Sequence, residues 1–260
     1  MPGMIYAEVA AGYDSIPSFV STGVTRRKRG AKCCAPLPPK LKLGSHVTLV
    51  ANTHRTAIRI AELTARGKRL TNAAKWRLVE ENFPLGPLMN ANTHIFDGSV
   101  FENSTGRRCF MMATLPKTIA EPTGELALEM WGNAHKLARL DTVEHMVFRH
   151  FAFTPKARNK RIRIEENPAP LWVVLPQGEG FRILHINDGL PQGAYYISNH
   201  PDLREAELQR AWETAIPQRV VMLTRTQTSK PPQDAWIKEH IQGRGLPVEN
   251  KDLCCMVTLT

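Results

Sequence analysis

The chain has 260 residues, 42% hydrophobic and 22% charged, with a net charge of +10 from 34 basic and 24 acidic side chains. That much apolar material suits one sizeable domain or two small ones and excludes wholesale disorder. No apolar run approaches the roughly 20 residues of a membrane-spanning helix and no secretory signal opens the chain, so the sequence predicts a soluble intracellular protein.

Half of the positive excess, a net +5, falls in residues 1–44, which also hold Pro36, Pro38 and Pro39 and show no sustained periodicity. This stretch predicts a flexible basic leader that contacts anionic lipid or nucleic acid by charge attraction, or is simply a solvated tail. The 5 cysteines form the vicinal pairs Cys33-Cys34 and Cys254-Cys255 plus Cys109. An odd count with vicinal pairing argues against a disulfide framework. There is no C-x-x-C and no His-Glu-x-x-His, and His145 and His150 fall on different helical faces, so spacing assigns no metal site.

In chain order, Val47–Leu49 and Ala57–Ile60 predict two strands around the polar turn Asn52-Thr-His-Arg55, the second extending to Leu63. From Leu70, the spacing of Ala73, Ala74, Leu78 and Val79 predicts a helix that Pro84 and Gly86 end. His94–Phe96 and Val100–Phe101 predict strands across an Asp97-Gly98 turn. Arg108–Leu115 predicts a buried strand stopped by Pro116. Leu126, Met130, Ala134 and Leu137 predict a helix over Glu125–Ala138. A second helix follows over Asp141–Phe151, capped by Asp141 or Thr142, and the Met and aromatic side chains of this region read as core.

The basic run Lys156, Arg158, Lys160, Arg161 and Arg163, followed by Asn167-Pro-Ala-Pro170, marks a boundary. Beyond it, Leu171–Leu175 and Phe181–Ile186 pair across Pro176–Gly180, Asn187-Asp-Gly189 turns, and Ala194–Ile197 forms a third strand. A helix from an Asp202 cap to Ala215, a strand over Arg219–Thr224, a helix over Gln233–Gln242 and a short strand at Leu246–Val248 complete an α/β chain in two halves.

Motifs for chemistry are scarce. No phosphate-binding G-x-x-x-x-G-K-[ST] loop is present, and Gly178 and Gly180 precede a strand where a dinucleotide loop needs a helix. No G-x-S-x-G elbow exists. Glu144, Asp188 and Glu205 have no spacing that lifts them above solvated surface carboxylates. No catalytic residue is assigned. The basic surface at 156–163 lacks the interleaved aromatics of a base-stacking site.

Four stretches together carry a family likeness: Val47–Leu63 with Gly67 and the helix holding Ala73-Ala74; Phe110–Pro116 with Leu140–His145; Leu171–Gly189; and Arg219–Thr224 through Gly245–Glu249. Their order resembles the actin-like family as found in the pilus-assembly protein PilM and, more loosely, the secretion protein GspL and the division protein FtsA. The resemblance implies a two-lobed actin-like (ASKHA, ribonuclease H-like) α/β fold. Residues 45–155 would form a first lobe with a small inserted subdomain near 84–140, residues 156–170 a basic linker, 171–250 a reduced second lobe and 251–260 a tail.

Actin-like ATPases carry an Asp-x-Gly turn in each hairpin, where backbone N–H groups hold ATP phosphates. The matching positions here are Asn52 and Thr53, then Gly178 and Gly180. Neither turn has the acidic residue in place, the first has no glycine, and such nests and their Mg²⁺ need both. The resemblance therefore implies a degenerate fold without ATP or Mg²⁺. It implies a non-catalytic scaffold at the cytoplasmic face of the inner membrane, in a type IV pilus or type II secretion-like machine. Its partner would be the cytoplasmic tail of an inner-membrane component, in a groove within residues 83–116 that includes Phe83, Leu85, Leu88, Phe110 and Met112. An actin-like ATPase with atypical phosphate loops and a basic nucleic-acid-binding protein are the alternatives.

Overall fold

The computed structural model describes residues 3–8, 18–22, 46–64, 70–118, 136–152, 169–177, 180–224 and 235–252. Strands β1 (Gly3–Glu8), β2 (Ser18–Thr22), β3 (His46–Asn52) and β7 (Lys136–Thr142) form a sheet in the order β2-β1-β3-β7. β1 and β2 are antiparallel, whereas β3 runs parallel to both β1 and β7. The leader thus contributes two strands, against the expectation of a flexible segment. Backbone pairing with β3 supplies the order that side-chain periodicity did not announce. Residues 23–45 lie outside the described residues.

Between β3 and β7 comes a three-stranded antiparallel sheet, β4-β6-β5, from β4 (Ala57–Leu63), β5 (His94–Glu102) and β6 (Arg108–Pro116). Helix α1 (Asn72–Asn82) joins β4 to β5, and the Thr71 hydroxyl caps it by accepting from the Ala74 N–H. β3 and β4 are therefore not the hairpin that the sequence predicts. The Asn52–Arg55 turn passes the chain from one sheet to another.

Asp97-Gly98 is not a turn either. β5 runs straight through it, and the hairpin bends at Asn103–Arg107, where Asn103 Oδ1 accepts from the Thr105 and Arg107 N–H groups. Gly98 is required for another reason: a Cβ there would lie 2.5 Å from the Phe110 ring across the strand pair and 2.9 Å from the Met111 carbonyl oxygen.

β6 is buried from Arg108 to Leu115 because both of its faces are covered. Phe110 and Met112 pack under α1 with Val79 and Phe83. Cys109, Met111 and Ala113 face the main core with Ile58 and Phe101. Burial and the Glu62 carboxylate push the Cys109 thiol up to about 12. Cys109 is accordingly expected to resist alkylation at pH 8 while the protein is folded and to react once it is unfolded; peptide mapping by mass spectrometry reads this directly.

After β7, helix α2 (Val143–Phe151) starts at Thr142, whose hydroxyl accepts from the His145 N–H. The helix expected over Glu125–Ala138 is corrected at its end, since β7 begins at Lys136; residues 119–135 lie outside the described residues, as do 153–168 with the whole basic run.

The second half is a five-stranded sheet in the order β10-β9-β8-β11-β12, from β8 (Leu171–Gln177), β9 (Gly180–Asn187), β10 (Leu190–Ser198), β11 (Arg219–Thr224) and β12 (Val248–Asp252). β8, β9 and β10 are an antiparallel meander, and β11 and β12 add in parallel. Asp188 (φ 51°) and Gly189 (φ 68°) make the tight β9–β10 turn, where a left-handed backbone favours Asp-Gly.

Helix α3 (Pro201–Thr214) is capped by the His200 ring, with Pro201 in its first turn, two residues before the expected Asp202 cap. Helix α4 (Ala235–Gly243) precedes β12. Both helices cover one face of the sheet, with Leu208, Ala211, Trp212, Ile237 and Ile241 on Trp172, Val174, Ile183, Val220 and Met222. The other face, through Val173, Leu175, Leu184, Ile186, Val221 and Leu223, meets α2 and the three-stranded sheet in one shared core. Two covered faces explain the unbroken apolar run Leu171–Leu175.

Candidate functional site

The end of β3, the start of α2 and the β8–β9 hairpin converge on a buried polar cluster. Gln177 and Arg182 point from the five-stranded sheet toward α2, and Glu144 points back at them. Arg182 Nε donates to Gln177 Oε1 at 2.8 Å and lies 3.4 Å from Glu144 Oε1. Gln177 Nε2 donates to Glu144 Oε1 at 2.7 Å and to Asn52 Oδ1 at 3.1 Å, while Asn52 Nδ2 donates to the Pro176 carbonyl at 3.2 Å. The second guanidinium arm donates to the carbonyls of His54 (3.1 Å) and Thr56 (3.0 Å), pinning the 52–56 turn to β9. Tyr196 lies under the same guanidinium, 5.4 Å from ring centroid to Cζ.

Burial dominates the electrostatics. Glu144 is fully buried, and desolvation raises its carboxyl above the ordinary value, an effect the Arg182 charge and the Gln177 amide partly offset. Desolvation likewise lowers Arg182, with Glu144 pulling the other way. Each charge is held in a low-dielectric interior mainly by the other.

This placement decides what the expected nucleotide positions do. Asn52 and Thr53 are 1% and 2% exposed. Both Asn52 amide groups are engaged across the cluster, and Thr53 closes its own turn by accepting from the Arg55 and Thr56 N–H groups. Gly180 backs onto β10: a Cβ there would overlap the Ile197 carbonyl oxygen and sit 2.7 Å from the Tyr196 hydroxyl. Gly178 lies outside the described residues. The described side chains of Asn52 and Thr53, and the Cα face of Gly180, therefore abut protein.

Of the expected partner-groove residues, Phe83, Phe110 and Met112 are interior, at 4%, 2% and 0% exposure. Leu85 is half-buried against them. Leu88 is 89% exposed and Trp76 on α1 is 39% exposed. These two, rather than the buried three, present apolar surface on that side. Lys156, Arg158, Lys160, Arg161 and Arg163 lie outside the described residues.

Sequence reasoning passed over Arg182 and Gln177 and took Glu144 for a solvated carboxylate. The signal was present in Glu144, because an acid three and four residues before Val147 and Phe148 shares their buried helical face. No described helix is long and apolar enough to cross a membrane.

No family model and no curated protein matches the chain by sequence. By structure, it is similar to a Bacteroides thetaiotaomicron protein with actin-like ATPase fold and unknown function. That match has a TM-score of 0.53 and 9% identity, over 98% of this chain and 94% of the other. It is also similar to a chain of the PilM–PilN type IV pilus biogenesis complex, with a TM-score of 0.56 and 11% identity over 97% of this chain and 89% of that one. At such identities the likeness speaks for architecture, and the architecture is plain: this chain has an actin-like α/β fold.

Proposed function

We propose that the protein is a non-catalytic scaffold of a type IV pilus or type II secretion-like machine. It sits peripherally at the cytoplasmic face of the inner membrane and receives the cytoplasmic tail of a membrane component. The observation that carries this reading is the Asn52–Gln177–Glu144–Arg182 cluster. It engages Asn52, one of the positions matching an ATPase's phosphate turns, in hydrogen bonds within the protein interior. The likeness to a chain of a pilus biogenesis complex supports the choice of assembly. Exposed Leu88 and Trp76 supply apolar contact beside α1 for an incoming segment.

The test pairs two measurements on the full chain. Mg-ATP at millimolar concentration is expected to leave the melting temperature unchanged, whereas a nucleotide binding the native state at 100 times its Kd would stabilise by about 2.7 kcal/mol. A tagged pull-down from solubilised membranes is expected to recover single-span pilus or secretion proteins. A Mg-ATP shift would return the protein to the ATPase reading. Recovery of nucleic acid alone would return it to the binding-protein reading.

A further inference from the structure

Alternation along β5 turns Asp97, Ser99 and Phe101 toward α2, while Phe96 and Val100 pack under α1. At the facing point Asp141 is the penultimate residue of β7, and His145 stands in the first turn of α2. His145 Nδ1 lies 3.0 Å from Asp141 Oδ1 and 3.6 Å from Asp97 Oδ2. The three donor atoms all fall within 4.8 Å of one another.

We propose that Asp97, Asp141 and His145 form a binding site for a divalent transition ion of the zinc class, joining the three-stranded sheet to the β7–α2 junction. Ligand atoms about 2.0–2.2 Å from a shared ion stand roughly 3.0–3.6 Å apart, the spacing of His145 Nδ1 from each carboxylate, and the carboxylate oxygens lie within 4.8 Å of each other. One imidazole nitrogen with two carboxylate oxygens is a donor set for zinc, manganese or iron rather than for calcium or magnesium.

The second observation is His145 itself. It is wholly buried, and its Nδ1 has no hydrogen-bond partner despite the short distance to Asp141. Asp141 Oδ1 accepts instead from the Thr142 N–H at 2.9 Å. An orphaned buried nitrogen aimed between two carboxylates is the kind of group an ion satisfies.

The surroundings fit a held ion. Arg149 donates to Asp141 Oδ2 at 2.7 Å, orienting that carboxylate from behind. Asp97 is anchored by the Gly98 N–H at 2.8 Å on its other oxygen. Asp97 and Arg149 are 34% and 26% exposed, so an ion enters from that edge and keeps water in its remaining positions. The rival arrangement needs no ion. Arg149 also approaches His145 Nε2 at 3.4 Å, and if that nitrogen accepts, the ring proton sits on Nδ1 between the carboxylates. With an ion on Nδ1 the proton moves to Nε2, and this arm of Arg149 turns to Ser99 Oγ, already 3.4 Å away.

The experiment uses the full chain, stripped with chelator and with its accessible cysteines alkylated; Cys109 is shielded by burial while the protein is folded. Co²⁺ is titrated by visible absorption and Zn²⁺ by calorimetry. One ion per chain is expected, with a visible Co²⁺ band and a raised melting temperature. Asp97→Asn is expected to weaken binding at least about tenfold, as loss of an ionised ligand should. Asp97→His, which restores a donor at the exposed rim, is expected to recover binding. Absence of a Co²⁺ band, or an affinity unchanged in Asp97→Asn, would overturn the proposal in favour of the arginine–histidine arrangement.

Discussion

Replacing Arg182 by methionine is expected to destabilise the protein by about 3–5 kcal/mol, the usual cost of leaving a buried charge without its partner. Arg182 is 6% exposed, and its guanidinium serves Glu144, Gln177 and two carbonyls of the 52–56 turn at once. The loss should depend on pH in a defined direction. Burial already raises the Glu144 carboxyl in the folded protein, and removing the neighbouring positive charge raises it further. A group with a raised folded-state pKa favours folding below its unfolded pKa, and that contribution disappears as pH rises through the folded value. The Arg182→Met deficit should therefore be smallest near pH 4.5 and grow toward pH 8. Adding Glu144→Gln, which removes the orphaned charge, should return part of the loss and flatten the pH dependence. Urea unfolding of both variants at the two pH values is the measurement. A deficit under about 1 kcal/mol that ignores pH would mean that the pair contributes little to folding.

Gly180→Ala is expected to cost about 3 kcal/mol, the upper end of ordinary overpacking. The obstacle is backbone, because the new methyl would overlap the Ile197 carbonyl oxygen within the β9–β10 pairing. A flexible side chain could step aside; a hydrogen-bonded strand cannot do so without opening the ladder. Gly86→Ala supplies the contrast, since nothing lies within 4 Å of that position, and a change within about 0.5 kcal/mol is expected there. If Gly180 instead served a phosphate, the alanine variant would melt near the parent temperature and differ only when Mg-ATP is added. Thermal melts with and without nucleotide separate these roles.

How much of this was legible in the sequence depends on the length scale of each signal. β6, β8 and β9 were readable because burial on both faces leaves continuous apolar runs bounded by Pro and Gly. α1 and α2 were readable from apolar spacing and a threonine cap. Asp97-Gly98 was misread because a turn-forming dipeptide is a local preference, whereas the glycine answers to Phe110 on the next strand. Two adjacent strands say nothing about whether they share a sheet, so β3 and β4 were joined in error. The leader was misjudged for a related reason: β1 draws its order from pairing with β3, 44 positions away at Gly3–Val47, and β2 from pairing with β1. Of the candidate site, His145 and Arg149 stand one turn apart on α2, and Asp141 precedes them by four and eight residues near the end of β7. Asp97 and Arg182 had no such marker, because only tertiary folding brings β5 and β9 to that helix.

The long reach of Arg182 has a consequence for how the protein is made. Its bond to Thr56 spans 126 positions of the chain, so the ribosome completes the whole inserted sheet before the residue that fastens it has been polymerised. At about 5–20 residues per second, that is a wait of roughly 6–25 s. Ile58 has no five-stranded sheet to cover it for nearly all of this interval, and Met111 and Ala113 have none for its later part. The nascent chain therefore offers chaperones a timed apolar surface that closes only when β9 emerges.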